Sequence, residues 1–503
     1  MDQGSENARR KLNKTLKPSW VFAIALGSSV GWGAFILPGD WIQSSGPLGA
    51  VIGLGIGALV MMIIASSYGV MIKKFPVSGG GFTYAFIAAG KIWAFICGWF
   101  LSLGYISIVA LNASALTLLL KFLAPGFMKQ GFLYNVAGWD VYIPEIIVAS
   151  LLILAFAFIN TTGTSISGQI QFYFSVLLVA GVIVLGIFTF AGAEQPLANL
   201  QPLFKGNQSI ITSILVVLAI APWAYVGFDN VPQAAEEFNF SPRKATMLIV
   251  ASLFTSFIIY AIMIGLTSWT YPASANIGSG DLWVTGDVVR SALGVGGLAV
   301  MAVAIVMGIF TGLNGFFMSS SRLLFSMARA RALPNFFREM TANQTPKWGI
   351  WFVALITLPT PWFGRQALTW IVDMSSTGVS VAYFFTCLAA FKVLAWGKEE
   401  IGREIAPLKK FLALLGMVAS GSFLVLLLVP NSPAALTTPS YLLLLVWAIV
   451  GVIFYLSIRK RYNSLTQEET EYYVLGKSID SEVMDAATVE PDTDLPVPDA
   501  TRS

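Results

Sequence analysis

"VFAIALGSSVGWGAFILPGDWIQSSG", Val21–Gly46, is apolar over the length of a membrane span, yet it carries Gly27, Gly31 and Gly33 in mid-span and Pro38 after them. A spanning helix needs roughly 20 apolar residues. Glycines relax the backbone, and a helix broken at mid-depth bares N–H and C=O groups. Hydrocarbon tolerates such groups only where they face protein or a water-filled cavity. There the freed N–H groups suit a carboxylate and the freed carbonyls an ammonium. The plainer reading is close helix packing through the small pair Gly27 and Gly31. A second stretch, "ILVVLAIAPWAYVGFDNVPQAAEEF" (Ile214–Phe238), is interrupted by Pro222, Gly227 and Pro232 and holds Asp229 among them. A carboxylate at membrane depth is by default functional, as a gate or proton carrier; otherwise it caps freed N–H groups beside Gly227. Trp223 and Tyr225 flank this interruption and can cover a solute, or simply pack. Paired interrupted segments at corresponding positions of two halves point to the binding site of a transporter.

Composition sets the class. Of 503 residues, 56% are hydrophobic and 11% charged, with a mean hydropathy of +0.74, whereas soluble chains carry about 25% charged residues. Lipid is the solvent that tolerates this surface. The net charge of +4 forms no basic stripe, which argues against nucleic acid as a partner. Cys97 and Cys387 fall inside apolar runs, so no disulfide framework is expected. Without histidine the chain lacks the commonest metal ligand and proton relay. No nucleophile–base pair suggests an enzyme, no cofactor is expected, and any coupled proton must ride on a carboxylate. The polar, basic first 20 residues do not resemble a cleaved signal peptide.

Twelve spans are expected, near 20–46, 48–72, 90–122, 141–160, 168–192, 210–238, 245–270, 294–324, 348–364, 366–394, 407–430 and 438–458, with Pro359 and Pro361 shortening the ninth. With the N-terminus inside, 22 Lys and Arg residues fall on the cytoplasmic side against 5 outside, which predicts both termini in the cytoplasm of a plasma-membrane protein. The chain then divides into an N-terminal segment (1–19), two five-helix halves (20–194 and 210–395), two additional helices (405–458) and an acidic tail (462–503) expected to be disordered. No residue-level repeat relates the halves. Glu236 and Glu237, followed by Arg243 and Lys244, suggest either a salt-bridged inner gate or solvated loop charges.

Four motifs, in order, resemble the amino acid–polyamine–organocation (APC) permeases. "GSSVGWGAFILPG" (27–39) is similar to that family's first-helix pattern, and "PWAYVGFDNVPQAAEEFNFSPRKA" (222–245) to its sixth. "FPVSGGGFTYAF" (75–86) resembles the entry to the third helix, and "GFFMSSSRLLFSMARARALPNFF" (315–337) the eighth. The resemblance spans residues 27–337; beyond 340 it rests on hydropathy. It implies an all-α polytopic fold of about twelve transmembrane helices, a five-plus-five inverted repeat of the LeuT type with helices 1 and 6 broken, and alternating access around the breaks. It further implies that Ser28, Ser29, Gly31 and Gly33 offer backbone groups to a substrate carboxylate. Carbonyls near Ala221, Trp223 and Ala224 would take its ammonium, with Trp223 occluding and Asp229 tied to gating. Two departures stand out. Trp32 replaces a small residue between glycines and reshapes the pocket, and Leu177–Gly181 lack the lysine that some proton-coupled members carry. That leaves Na⁺, a carboxylate proton or exchange, with Ser319 and Ser320 able to complete a sodium site. The expected function is secondary transport of an amino acid, in contact with membrane lipid. The alternative cargo is an amine such as a polyamine or ethanolamine, for which Asp229 has few acidic companions at depth. A membrane enzyme or solute sensor ranks last.

Overall fold

The structure, a computed structural model, describes residues 12, 14–136, 138–206, 208–270, 283–364, 366–396, 406–432 and 435–476. Arg9, Arg10, Lys11, Arg365, Lys398 and Arg403 of the charge count, and the tail from 477 onward, lie outside the described residues. The chain begins with α1 (Pro18–Ser29), α2 (Gly33–Ile36), α3 (Pro38–Ser45), α4 (Pro47–Lys74), α5 (Gly81–Ala89), α6 (Lys91–Leu123) and α7 (Pro125–Met128). A hairpin of β1 (Phe132–Val136) and β2 (Trp139–Tyr142) precedes α8 (Ile143–Thr161), α9 (Thr164–Gly192), α10 (Ile210–Leu218) and α11 (Ala221–Ala224). Then come α12 (Pro242–Thr270), α13 (Val284–Arg329), α14 (Lys347–Thr357), α15 (Gln366–Trp396), α16 (Ala406–Leu428), α17 (Thr438–Ser464) and α18 (Gln467–Leu475).

Among the described residues nine helices are long and apolar enough to cross a bilayer: α4, α6, α8, α9, α12, α13, α15, α16 and α17. This is the architecture of a polytopic membrane protein. The segments that fall short are the first, sixth and ninth of the sequence reading. The first is split into α1, α2 and α3, and the sixth into α10, α11 and a 3₁₀ turn over Phe228–Glu237. The ninth stops after 11 residues, α14, because Pro359 and Pro361 cannot donate to a continuing helix.

Two expectations need correction. The chain is not wholly helical: β1 and β2 pair antiparallel, Asn135 opposite Asp140 and Val136 opposite Trp139. The eighth span starts where expected, because Gly294, with φ +66° and ψ −158°, breaks α13 into a short leading piece and the long helix that follows, a conformation glycine adopts without a Cβ penalty. The tail, however, is not unfolded from 462. Helix α17 runs to Ser464, and α18 follows with a capping box between Thr466 and Glu469 and a left-handed Gly476 beyond its end. Val474 and Leu475 are buried, and the Arg331 guanidinium sits 5.0 Å from the Tyr473 ring, so packing outweighs the polar composition.

Helix α6 is the centre of the bundle: 89% of its most apolar window is buried, against 22% for α16 and α17. It packs on α13 and α15. Helix α17 is fastened to it by Trp99 and Trp447, stacked at 4.6 Å. Each indole N–H donates to the other residue's carbonyl, at 2.9 and 3.0 Å. The two ends of the bundle differ. At one, Lys121 holds Glu145 at 2.6 Å, donates to Asp140 O at 3.0 Å and lies 4.4 Å from the Trp139 ring, clamping the hairpin. At the other, the N-terminal strand-like segment pairs Leu16 with Phe238.

Candidate functional site at the two interrupted helices

The first interruption falls at Val30–Trp32. Helix α1 ends when Val30 adopts φ −95° and ψ 81°, its N–H still bonded to Leu26 O. Helix α2 restarts with Ala34 N–H on Gly31 O at 3.2 Å and Phe35 N–H on Trp32 O at 3.0 Å. The N–H groups of Gly31, Trp32 and Gly33 have no backbone acceptor among the described residues. They are the orphan donors of a helix start. Gly27, expected within the break, lies inside α1 instead. A Cβ there would come within 2.7 Å of Ser175 and Thr311 and 2.9 Å of Gln171, so the packing reading holds for Gly27 and the break belongs to Gly31.

The second interruption follows α11. Gly227 takes φ +128°, and a Cβ on it would lie 2.5 Å from Ser28 C and 2.6 Å from Ser29 N. The two breaks are therefore in direct contact, and only glycine admits that approach. Ser29 Oγ donates to Ala25 O and, at 3.3 Å, to Tyr225 O. From α12, Tyr260 Oη donates to Ser29 O at 2.8 Å and Ala224 O at 2.5 Å. Trp32 and Trp223 meet edge to face at 6.2 Å. Trp223 also covers Gly33, whose Cβ position is 2.6 Å from the indole. Ser28, Ser29, Gly31, Trp32, Gly33, Trp223, Ala224 and Tyr225 are thus gathered into one place. The carbonyls named for an ammonium are partly engaged: Ala221 O accepts from Tyr225 N–H, Trp223 O from Val226 N–H, and Ala224 O from Tyr260. Ala221 O and Ala224 O keep one lone pair, whereas Trp223 O also receives the Tyr225 N–H.

Asp229 is fully buried. Its Oδ1 accepts from Gly227 N–H at 2.9 Å and its Oδ2 from Tyr105 Oη at 2.7 Å. No cation pairs with it among the described residues. Geometrically it is the cap beside Gly227 that the plainer reading described. Glu236 stands apart, at the end of the bundle that carries the N-terminus. It forms a two-pronged pair with Arg329 at 2.7 and 2.8 Å, while Glu237 pairs with Arg322, which also donates to Thr164 Oγ1 at 2.8 Å. Both glutamates thus pair with α13 arginines seven residues apart on one helix face. Of the hydroxyls considered for sodium, Ser320 Oγ donates to Phe316 O at 2.6 Å, its own i−4 carbonyl. Ser319 Oγ has no partner among the described residues.

Sequence reasoning missed a buried polar network behind the first break. Asn314 Nδ2 donates to Gln171 Oε1 at 2.9 Å and to Ser167 O at 3.0 Å. Its Oδ1 accepts from Ser167 Oγ at 2.8 Å and Asn160 Nδ2 at 3.2 Å. Gln171 Nε2 then reaches Thr311 O at 3.1 Å and Ala23 O at 3.3 Å, and Ser175 Oγ also bonds Ala23 O. Helices α8, α9 and α13 are so tied to α1. The only sequence signal is scattered polar residues in apolar helices, Asn160 in α8, Ser167, Gln171 and Ser175 in α9, and Asn314 in α13.

Known proteins resemble this chain in sequence. The branched-chain amino acid permease BcaP of Lactococcus lactis is 27% identical over 430 residues, covering 82% of this chain and 90% of that protein. The methylthioribose transporter of Bacillus subtilis is 22% identical over 92% of this chain and 97% of its own length. The lysine-specific permease LysP of Lactococcus lactis is 24% identical over 79% and 80%. A family described as amino acid permease matches residues 16–454, a range that takes in both interruptions and runs into α17. The chain belongs to that family of integral membrane permeases, which are transporters and not enzymes.

Proposed function

We propose that this protein is a secondary active transporter of an amino acid, working by alternating access in the plasma membrane as a symporter or exchanger. In this reading the nine long helices and the three interrupted or shortened segments make twelve spans. They form a five-plus-five inverted repeat followed by two further helices, with both termini cytoplasmic. The carrying observation is that two interruptions touch, through Gly227 and Ser28, beside three N–H groups without backbone partners. Such a helix start suits the carboxylate of the cargo, and the carbonyls near Ala221, Trp223 and Ala224 suit its ammonium, Ala221 O and Ala224 O with a lone pair to spare. Trp223 and Trp32 close over it. Asp229 holds Gly227 in place and links the second break to Tyr105, which is how it would bear on gating. Glu236–Arg329 and Glu237–Arg322 then form the inner gate. Relatives named for branched-chain amino acids and lysine support an amino acid as cargo.

The test is uptake into proteoliposomes of the full chain, with imposed Na⁺ and pH gradients and with amino acid inside. Labelled amino acids should be taken up, and methylthioribose and ethanolamine should not compete. The double variant Trp223→Ala, Asp229→Asn should insert but lose at least about tenfold in uptake, the worth of about 1.4 kcal/mol. Uptake at the wild-type rate would remove the assigned site.

A further inference from the structure

Asn112 lies in mid-membrane on α6 and is 2% exposed. Its Nδ2 donates to Ile108 O at 2.9 Å, which fixes the way the amide points. Its Oδ1 has no partner among the described residues. This is unusual, since buried polar side-chain atoms nearly always find one. The free oxygen is directed at the first interruption: it lies 3.8 Å from the Cβ position of Gly31. On the other side Gly312 of α13 makes room for it. A Cβ there would fall 2.8 Å from Oδ1 and 2.7 Å from Nδ2. The oxygen thus sits between α13 and the first interruption, buried and without a hydrogen-bond partner among the described residues.

The interrupted segments contribute main-chain N–H and C=O groups, which match the part that every amino acid shares. Helices α6 and α13 close the remaining wall beside Gly31, so they face the part that varies. We propose that Asn112 selects the cargo, its Oδ1 accepting a hydrogen bond from an N–H or O–H on the side chain of the transported amino acid. This rests on the transporter reading above and narrows it to side chains that carry a donor. A site built to hydrogen-bond its substrate discriminates strongly against an isostere without the donor, because the acceptor is then left unpaired.

Isosteric pairs test this in the purified full-length protein, by thermal-shift titration with threonine against valine and asparagine against leucine, and with alanine as reference. The wild type should bind threonine and asparagine at least about tenfold tighter than their partners. Asn112→Leu should erase that preference while leaving alanine within about threefold. A wild type that prefers valine and leucine overturns the proposal, and this arm stands even if the variant fails to insert. So does an Asn112→Leu protein that weakens alanine as much as threonine, which would mark a purely structural amide. If no amino acid shifts the wild type, the transporter reading itself falls, a result distinct from a reversed preference.

Discussion

The Tyr260 hydroxyl has one proton and two main-chain acceptors, Ser29 O and Ala224 O, so a single side chain ties both interrupted helices to α12. Tyr260→Phe keeps the ring that packs on Trp41 and Tyr225 but leaves both carbonyls without that donor. A lost partner of this kind costs roughly 1–3 kcal/mol, so the cargo-free variant should insert normally and melt at a lower temperature. An unchanged midpoint would show that Tyr260 is not a clamp. The interruptions themselves were legible in the sequence because glycine and proline have local backbone consequences. Tyr260, Asn112 and the Gln171–Asn314 network were not. A lone polar residue in an apolar helix has no period of its own, and its meaning comes from a partner more than 100 residues away, as for Gln171 and Thr311.

Among elements, the 3₁₀ turn Phe228–Glu237 and the last turns of α13 carry opposite charges into a buried contact. Side chains of Arg322 and Arg329 are 3% and 2% exposed, and those of Glu237 and Glu236 are 2% and 8% exposed. Removing one partner of such a pair strands a buried charge and costs roughly 3–5 kcal/mol. Glu236→Gln and Arg329→Gln should therefore each lower stability sharply, while the double variant loses much less than their sum. Additive losses in a double-mutant cycle would mean that the two groups do not depend on each other. The acids are visible in the sequence, where Arg243 and Lys244 are the nearest basic residues, but Arg322 and Arg329 lie some 85 to 93 residues away and their pairing is set by the packing of α13. Helix α18 was missed for another reason. Its Thr466–Glu469 capping box and Gly476 are local signals, but the acidic composition of the surrounding tail outweighed them.

Across the whole molecule, the N-terminal segment, both ion pairs and α18 share one end, through Leu16–Phe238 and Arg331–Tyr473. In the proposed alternating-access cycle, opening that end would separate two buried charge pairs, and a cargo could drive it only as far as it binds the open form better than the closed one. The polytopic class was readable because hydropathy is a property of the whole chain. The contact between the two breaks was not, since it joins Ser28 to Gly227. One consequence concerns how motion in this protein is to be measured. The doubly bonded indoles of Trp99 and Trp447 rivet a peripheral span to the most enclosed one, so the two should travel as a single body. Spin labels at the exposed positions Ile92 and Leu456 should keep one fixed separation with and without cargo. That pair supplies a built-in ruler against which displacement of α1 or α11 can be read, and a cargo-dependent change in it would mean that the rivet slips.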